Sequence, residues 1–200
     1  MQVPIEEVLR RAGKYFMGES PVHRAAEKIH RALEELKIPF AIAGALAANA
    51  HGHVRTTEDV DVLLTREGLK AFKDRWLGRG WVEVFPGSKG LRDPENNVKI
   101  DVLLAGDYPG DGKPKPVVFP DPATSAEPSP SGIPVLKLPL LLELKLASGM
   151  TAPHRLQDLA DVIALVRRNK LPRDYASKLD PYVRAKFDEL WQGAQVEDDY

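Results

Sequence analysis

The chain has 200 residues, no cysteine, a formal net charge of −1 and 43% hydrophobic residues. These values exclude disulfides, thiol catalysis and cysteine-based zinc or iron–sulfur sites, and they leave no global field to draw the chain to nucleic acid or membrane. A chain of this length buries roughly 70% of its unfolded surface, enough for an ordinary core.

Residues 5–16 are expected to form a short amphipathic helix. A stronger helix follows, with Ser20 as N-cap, Pro21 at the first helical position, and Val22, Ala25, Ala26, Ile29, Ala32, Leu33 and Leu36 on one face. PFAIAG reads as a buried strand ending at Gly44, and 45–51 as an alanine-rich helix. HGHVRTTE is a loop and DVDVLL a strand. Thr65 caps the helix in TREGLKAFKDRWLGRG. WVEVF is a strand, PGSKGLRDPENN a long turn, and VKIDVLL another strand. Two consecutive strands in this half argue for a mixed sheet.

Nine of the 17 prolines fall between Gly106 and Pro139. That stretch is expected to be a long loop with a short strand at VVF, of the kind that is functional or mobile. Helices are expected at 138–149 and 154–169, the latter with Leu156, Leu159, Ala160, Ile163 and Val166 on its apolar face. Two shorter helices end near Gln192, and QVEDDY is a frayed tail. The organisation expected is one domain over 1–200, with a catalytic core at about 21–147, the Pro-rich loop at 106–139, and a helical part at about 148–192. The fold class is α+β (α/β-like), a mixed sheet flanked by helices. The start, MQVPIEEVLRRAGKYF, lacks the apolar segment of a signal peptide, and VLKLPLLLELKLA is too short and charged to span a bilayer. A cytoplasmic location without membrane contact is expected.

Asp59 and Asp61 alternate with Val60 and Val62, so both carboxylates share one face of their strand. Unrelieved, one of them would take up a proton; a divalent ion removes the conflict, and oxygen ligands favour magnesium or manganese. Asp101 lies inside a second apolar strand, where a charge is unusual unless paired or bound to metal. FAIAGALA is a strand–glycine–helix turn whose free amides at Gly44 and Ala45 could bind an anion. Arg55, just before the acids, could pair with phosphate oxygens.

This pattern of apolar strand, glycine turn, spacer, Asp-x-Asp and third acid resembles the nucleotidyltransferase fold of the DNA polymerase β superfamily. "AHGHVRTTEDVDVLL", "LLELKLASG" and "HRLQDLADV" are more specifically similar to motifs of bacterial AbiEii-like nucleotidyltransferases, a group containing toxins of toxin–antitoxin systems. The likeness covers roughly residues 22–168. It implies that Asp59, Asp61 and Asp101 are catalytic and hold magnesium or manganese, and that Lys145 reaches the triphosphate. It also implies a nucleoside triphosphate substrate, an acceptor that is tRNA, protein or a small molecule, and possible pairing with an antitoxin.

Asp158 and Asp161 could orient Lys145 or contact the base; the plain alternative is a solvated helix face with Asp158 paired to Arg155. For Lys145 the plain alternative is a lysine snorkelling to the surface. His51 and His53 are expected to shape the loop rather than bind zinc, and Thr57 likewise. Arg167, Arg168, Lys170 and Arg173 form a modest basic cluster that could meet RNA. Ala45 departs from the glycine or serine of the pattern: its amide remains but a hydroxyl is absent. That departure supports the alternative of a catalytically inactive nucleotide- or partner-binding module of the same fold.

Overall fold

The computed structural model describes residues 4–196; the end of the expected tail, 197–200, lies outside them. Helix α1 (Ile5–Phe16) leads into α2 (Pro21–Glu35), whose N-cap Ser20 accepts from the His23 amide. Strand β1 (Ala41–Ile42) is followed by α3 (Gly44–Ala50), β2 (Asp59–Leu64) and α4 (Arg66–Trp76), the last capped by Thr65 as expected. Then come β3 (Val82–Glu83), β4 (Leu91–Asp93), β5 (Val98–Leu104), the one-turn helix α5 (Pro122–Ser125), β6 (Ala126–Pro128) and β7 (Pro134–Leu136). The chain closes with α6 (Leu138–Thr151), α7 (Leu156–Asn169) and α8 (Pro181–Ala194), with short 3-10 turns before α7 and α8.

The seven strands form one mixed sheet in the order β3-β4-β5-β2-β1-β7-β6, flanked by helices. At its centre β2 and β5 run parallel, while β1–β2 and β4–β5 are antiparallel. Val60, Val62, Ile100 and Val102 are buried, and α2 packs against β2 and β5 with Ile29 and Leu33 fully buried. The alternation of the two central strands therefore sends their apolar side chains into the core and their charged ones to the opposite face.

Several expectations need correction. The turn PGSKGLRDPENN contains β4, a three-residue strand in which Leu91 is buried and Asp93 is fully buried against Lys28 and Asn96. The VVF segment is not a strand; the buried Val117 and backbone bonds between Phe119 and residues 106 and 107 tie it down. Instead the Pro-rich stretch forms the β6–β7 hairpin, and β7 joins the sheet through Val135 beside Ile42. In α7 the buried stripe is Asp161, Val162, Leu165 and Val166, while Leu156 is 68% exposed. Of the rest of the expected face, Val166 is buried and Leu159 and Ile163 pack against the core, while Ala160 is exposed. Among the described residues no helix is long and apolar enough to cross a membrane.

Candidate functional site

The register of β2 against β5 pairs Asp59 with Lys99 and Asp61 with Asp101. Residues directly opposite in adjacent strands point to the same face, about 4.8 Å apart along the hydrogen-bonding direction. The outcome is a two-by-two patch of three carboxylates and one ammonium. Thr57 donates its hydroxyl to Asp59 Oδ1 at 2.6 Å, and Lys99 Nζ lies 2.7 Å from Oδ1 and 2.9 Å from Oδ2 of Asp101. Desolvation, then the charges of Asp59 and Asp101, push the Asp61 carboxyl up to about 7, against the opposing pull of Lys145 and Arg155.

Gly44 supports Asp61 from the side. It starts α3 at φ +57°, and a Cβ placed on it would lie 1.8 Å from Asp61 Oδ2. The backbone adds a bond from the Ala43 amide to the Asp61 carbonyl. No other residue type fits both the left-handed conformation and this approach.

The patch floors a cleft of about 710 Å³. Gly44, Ala45, Arg55, Asp59, Asp61, Asp101, Lys145 and Asp158 all line it, so the structure gathers every site residue expected from the sequence. It also adds Lys89, Lys99, Tyr108, Asp111, Ser148 and Arg155, which sequence reasoning did not single out as site residues. Tyr108 and Asp111 come from the Pro-rich stretch, which forms a wall of the cleft. Gly110 (φ +71°) anchors that wall: a Cβ there would lie 2.2 Å from Thr151 Oγ1 and 3.0 Å from the α6 backbone at Ser148. Lys115 ties the loop to itself through the Pro109 carbonyl and Asp111, each at 2.6 Å.

The cations above the floor share an anchor, Asp161. Asp161 is fully buried. It accepts from Arg55 Nε at 2.8 Å and Nη2 at 3.0 Å, from Lys145 Nζ at 2.6 Å and from Gln157 at 2.9 Å, with His53 Nε2 at 3.3 Å. Burial raises its pKa, but the Arg55 hydrogen bond, the Lys145 charge and hydrogen bond, and Gln157 outweigh that and hold it at about 2. Lys145 also reaches Asp158 at 3.1 Å, and Ser148 donates to the other Asp158 oxygen at 2.7 Å.

The solvated-face alternative therefore fails for Asp161, and the snorkelling alternative fails for Lys145, which is 4% exposed. The Arg155–Asp158 pair exists only at 4.0 Å. His51 donates Nε2–H to the Leu136 carbonyl at 2.8 Å, a loop-shaping role as expected. The basic cluster is partly consumed: Arg167 donates to the Ala194 and Val196 carbonyls, and Arg173 faces Asp188 at 3.6 Å.

The donor set of Asp59 and Asp61 has the hard-oxygen chemistry of a magnesium- or manganese-type ion, and the raised pKa of Asp61 marks charge that a cation would relieve. Among the described residues no three His, Cys, Asp or Glu side chains converge into a ready metal cluster. Asp101 is instead held by Lys99.

The mixed seven-stranded sheet with its flanking helices is a nucleotidyltransferase fold. The chain is similar to the solution structure of the antibiotic-resistance factor ANT(2'')-Ia, at 17% identity over 84% of this chain and 91% of that one, with a TM-score of 0.52. It is similar to the same extent to the crystal structure of ANT(2'')-Ia in complex with adenylyl-2''-tobramycin, at 15% identity over 83% and 98% of the two chains, TM-score 0.52. No protein-family profile matches the chain, and no curated protein matches it.

Proposed function

We propose that this chain is a metal-dependent nucleotidyltransferase, moving a nucleoside monophosphate from a nucleoside triphosphate to a hydroxyl or phosphate acceptor. The observation that carries the reading is the side-by-side pairing of Asp61 and Asp101, next to Asp59, on the floor of a cleft that also holds Lys145 and Arg55. A magnesium or manganese ion held by Asp59 and Asp61, with Asp101 on the acceptor side, would supply Lewis acidity and a lowered hydroxyl pKa. Lys145 and Arg55 bind the anionic phosphates, their positions fixed by Asp161. Main-chain amides at Gly44–Ala45 offer further donors. For a hydroxyl acceptor, the oxygen bonds to the α-phosphorus as the bridging bond to the β-phosphate breaks. Pyrophosphate leaves with the electron pair, and the hydroxyl proton passes to Asp101.

The acceptor is a small molecule, RNA or a protein. The adenylylated tobramycin held by ANT(2'')-Ia supports the first. The motif likeness to AbiEii-like enzymes supports a toxin-like version in the cytoplasm, restrained by an antitoxin partner. A second reading, nucleotide or partner binding without turnover, is favoured by Ala45, which is 5% exposed and has no hydroxyl to offer.

One experiment separates them. The protein is incubated with each labelled nucleoside triphosphate and magnesium, with total RNA, lysate protein or an aminoglycoside as acceptor. Transferred label that disappears in Asp61→Asn supports the enzyme. Nucleotide-dependent thermal stabilisation without transfer of label to any acceptor supports the binding module.

A further inference from the structure

We propose that Lys99 is the resident second cation of the carboxylate patch, so that the site takes one divalent ion, on Asp59 and Asp61, rather than two. The inference rests on the reading of these acids as a divalent-cation site and deepens it.

Placement is the first argument. The parallel register sets Lys99 beside Asp59 and two residues from Asp101 on the same strand face, so its ammonium belongs to the patch itself. Contact is the second. Lys99 Nζ is within 2.7 and 2.9 Å of the two Asp101 oxygens, the atoms a second divalent ion would need.

Charge is the third argument. With all three carboxylates ionised the patch holds −3 against +1 on Lys99, so one divalent ion brings it to neutrality. A second would leave it at +2. Sites that use two metals place both on the attacking and leaving oxygens of the displacement. Here a tethered ammonium already stands on the Asp101 side. Stability does not explain the pair, because the Lys99 side chain is 46% exposed and exposed pairs contribute little. On this reading Lys99 keeps Asp101 compensated and offers positive charge to the acceptor, while Asp59 and Asp61 take the ion.

The test counts ions on the full chain without nucleotide. Free Mn2+ is titrated by electron paramagnetic resonance against wild type, Lys99→Met and Lys99→Gln, each checked for an unchanged thermal transition. The expected count is one Mn2+ per chain in wild type and two in both variants, with spin–spin broadening in the variants only. Two ions in wild type would overturn the inference while leaving the divalent-cation site standing. A count of one in the variants would also overturn it, since Lys99 would then withhold nothing. No Mn2+ in any of the proteins would overturn both the inference and the metal reading beneath it.

Discussion

Arg55 and Asp161 stand 106 residues apart in the chain and meet through two parallel hydrogen bonds, at 2.8 and 3.0 Å. Their pairing joins the loop that precedes the Asp-x-Asp strand to the helix that carries the buried acid. Lys145 completes the cluster from α6. Removing one member of such a buried set leaves the others with unmatched charge. Asp161→Ala is expected to lower stability by about 3–5 kcal/mol. Urea denaturation measures it, and a loss below about 1 kcal/mol would show that Asp158 and water replace Asp161.

Lys145→Met removes a charge whose counter-ion keeps other partners, because Asp161 retains Arg55 and Gln157. The stability loss should be smaller than for Asp161→Ala, about 1–3 kcal/mol. Nucleotide affinity should fall with it. Calorimetric titration with a nucleoside triphosphate and magnesium decides the matter: unchanged affinity in a folded variant would make Lys145 a structural ion only.

Asp59→Asn, Asp61→Asn and Asp101→Asn should each reduce transfer at least about a hundredfold. Their effects should not add, because the groups act as one unit. In metal-free buffer Asp61→Asn should be as stable as wild type or more so, since it removes the desolvation of a charge and the repulsion from Asp59 and Asp101 that together raise the Asp61 pKa. Asp93→Asn provides the contrast: that acid is fully buried and bonded to Lys28, and its loss should destabilise. Equal destabilisation by Asp61→Asn and Asp93→Asn would argue that Asp61 is structural.

Asp61 and Asp161 pull the pH dependence in opposite directions. The folded pKa of Asp61, about 7, exceeds its ordinary 3.8, so the native chain holds a proton the unfolded chain has lost. Its contribution is therefore full below 3.8 and vanishes as pH rises through about 7. Asp161, at about 2, contributes above 3.8 and loses that contribution as pH falls toward 2. Denaturation of metal-free wild type and Asp61→Asn at about pH 5 and about pH 8 isolates the first effect. The stability of wild type relative to the variant should fall between those two values; a flat difference would mean Asp61 is ionised throughout.

Gly44→Ala tests the turn. The new Cβ would require both a left-handed backbone and the space that Asp61 Oδ2 occupies. A stability loss of about 1–2 kcal/mol from the backbone alone is expected, together with weaker Mn2+ binding as Asp61 is displaced. Wild-type Mn2+ affinity in this variant would mean that the carboxylate position does not matter to the ion.

Much of this architecture is legible in the sequence because its long elements carry strong periods. Ser20-Pro21 and Thr65 mark helix starts, and the alternation of Asp59 to Val62 reveals both the strand and its charged face. The short strands β1 and β3 fall within expected strand segments, but β4, β6 and β7 are not legible. β4 has three residues and a charge that finds its partner on α2, far away in the chain. β6 and β7 contain prolines and acquire strand character only by pairing with each other and with Ile42. Asp161 illustrates the limit at the site. Of its stripe partners Val162, Leu165 and Val166, only Val166 belongs to the face expected from the sequence, and a lone acid on such a helix reads as solvated until Arg55 and Lys145 arrive from other elements. Lys99 was hidden for a related reason: only the β2–β5 register sets it beside Asp59.

That register also couples assembly to chemistry. Were β5 to slip by one residue against β2, Lys99 and Asp101 would turn into the core, and Val98, Ile100 and Val102, now buried, would surface on the cleft floor. A misregistered chain would retain its helices, much of its compactness and the Asp59–Asp61 pair of β2, yet its cleft floor would lack both Lys99 and Asp101. Recovery of transfer activity, which needs Asp101 on the floor, after dilution from denaturant would therefore count the molecules whose central strands have zipped together in the right phase, a tally that circular dichroism cannot provide.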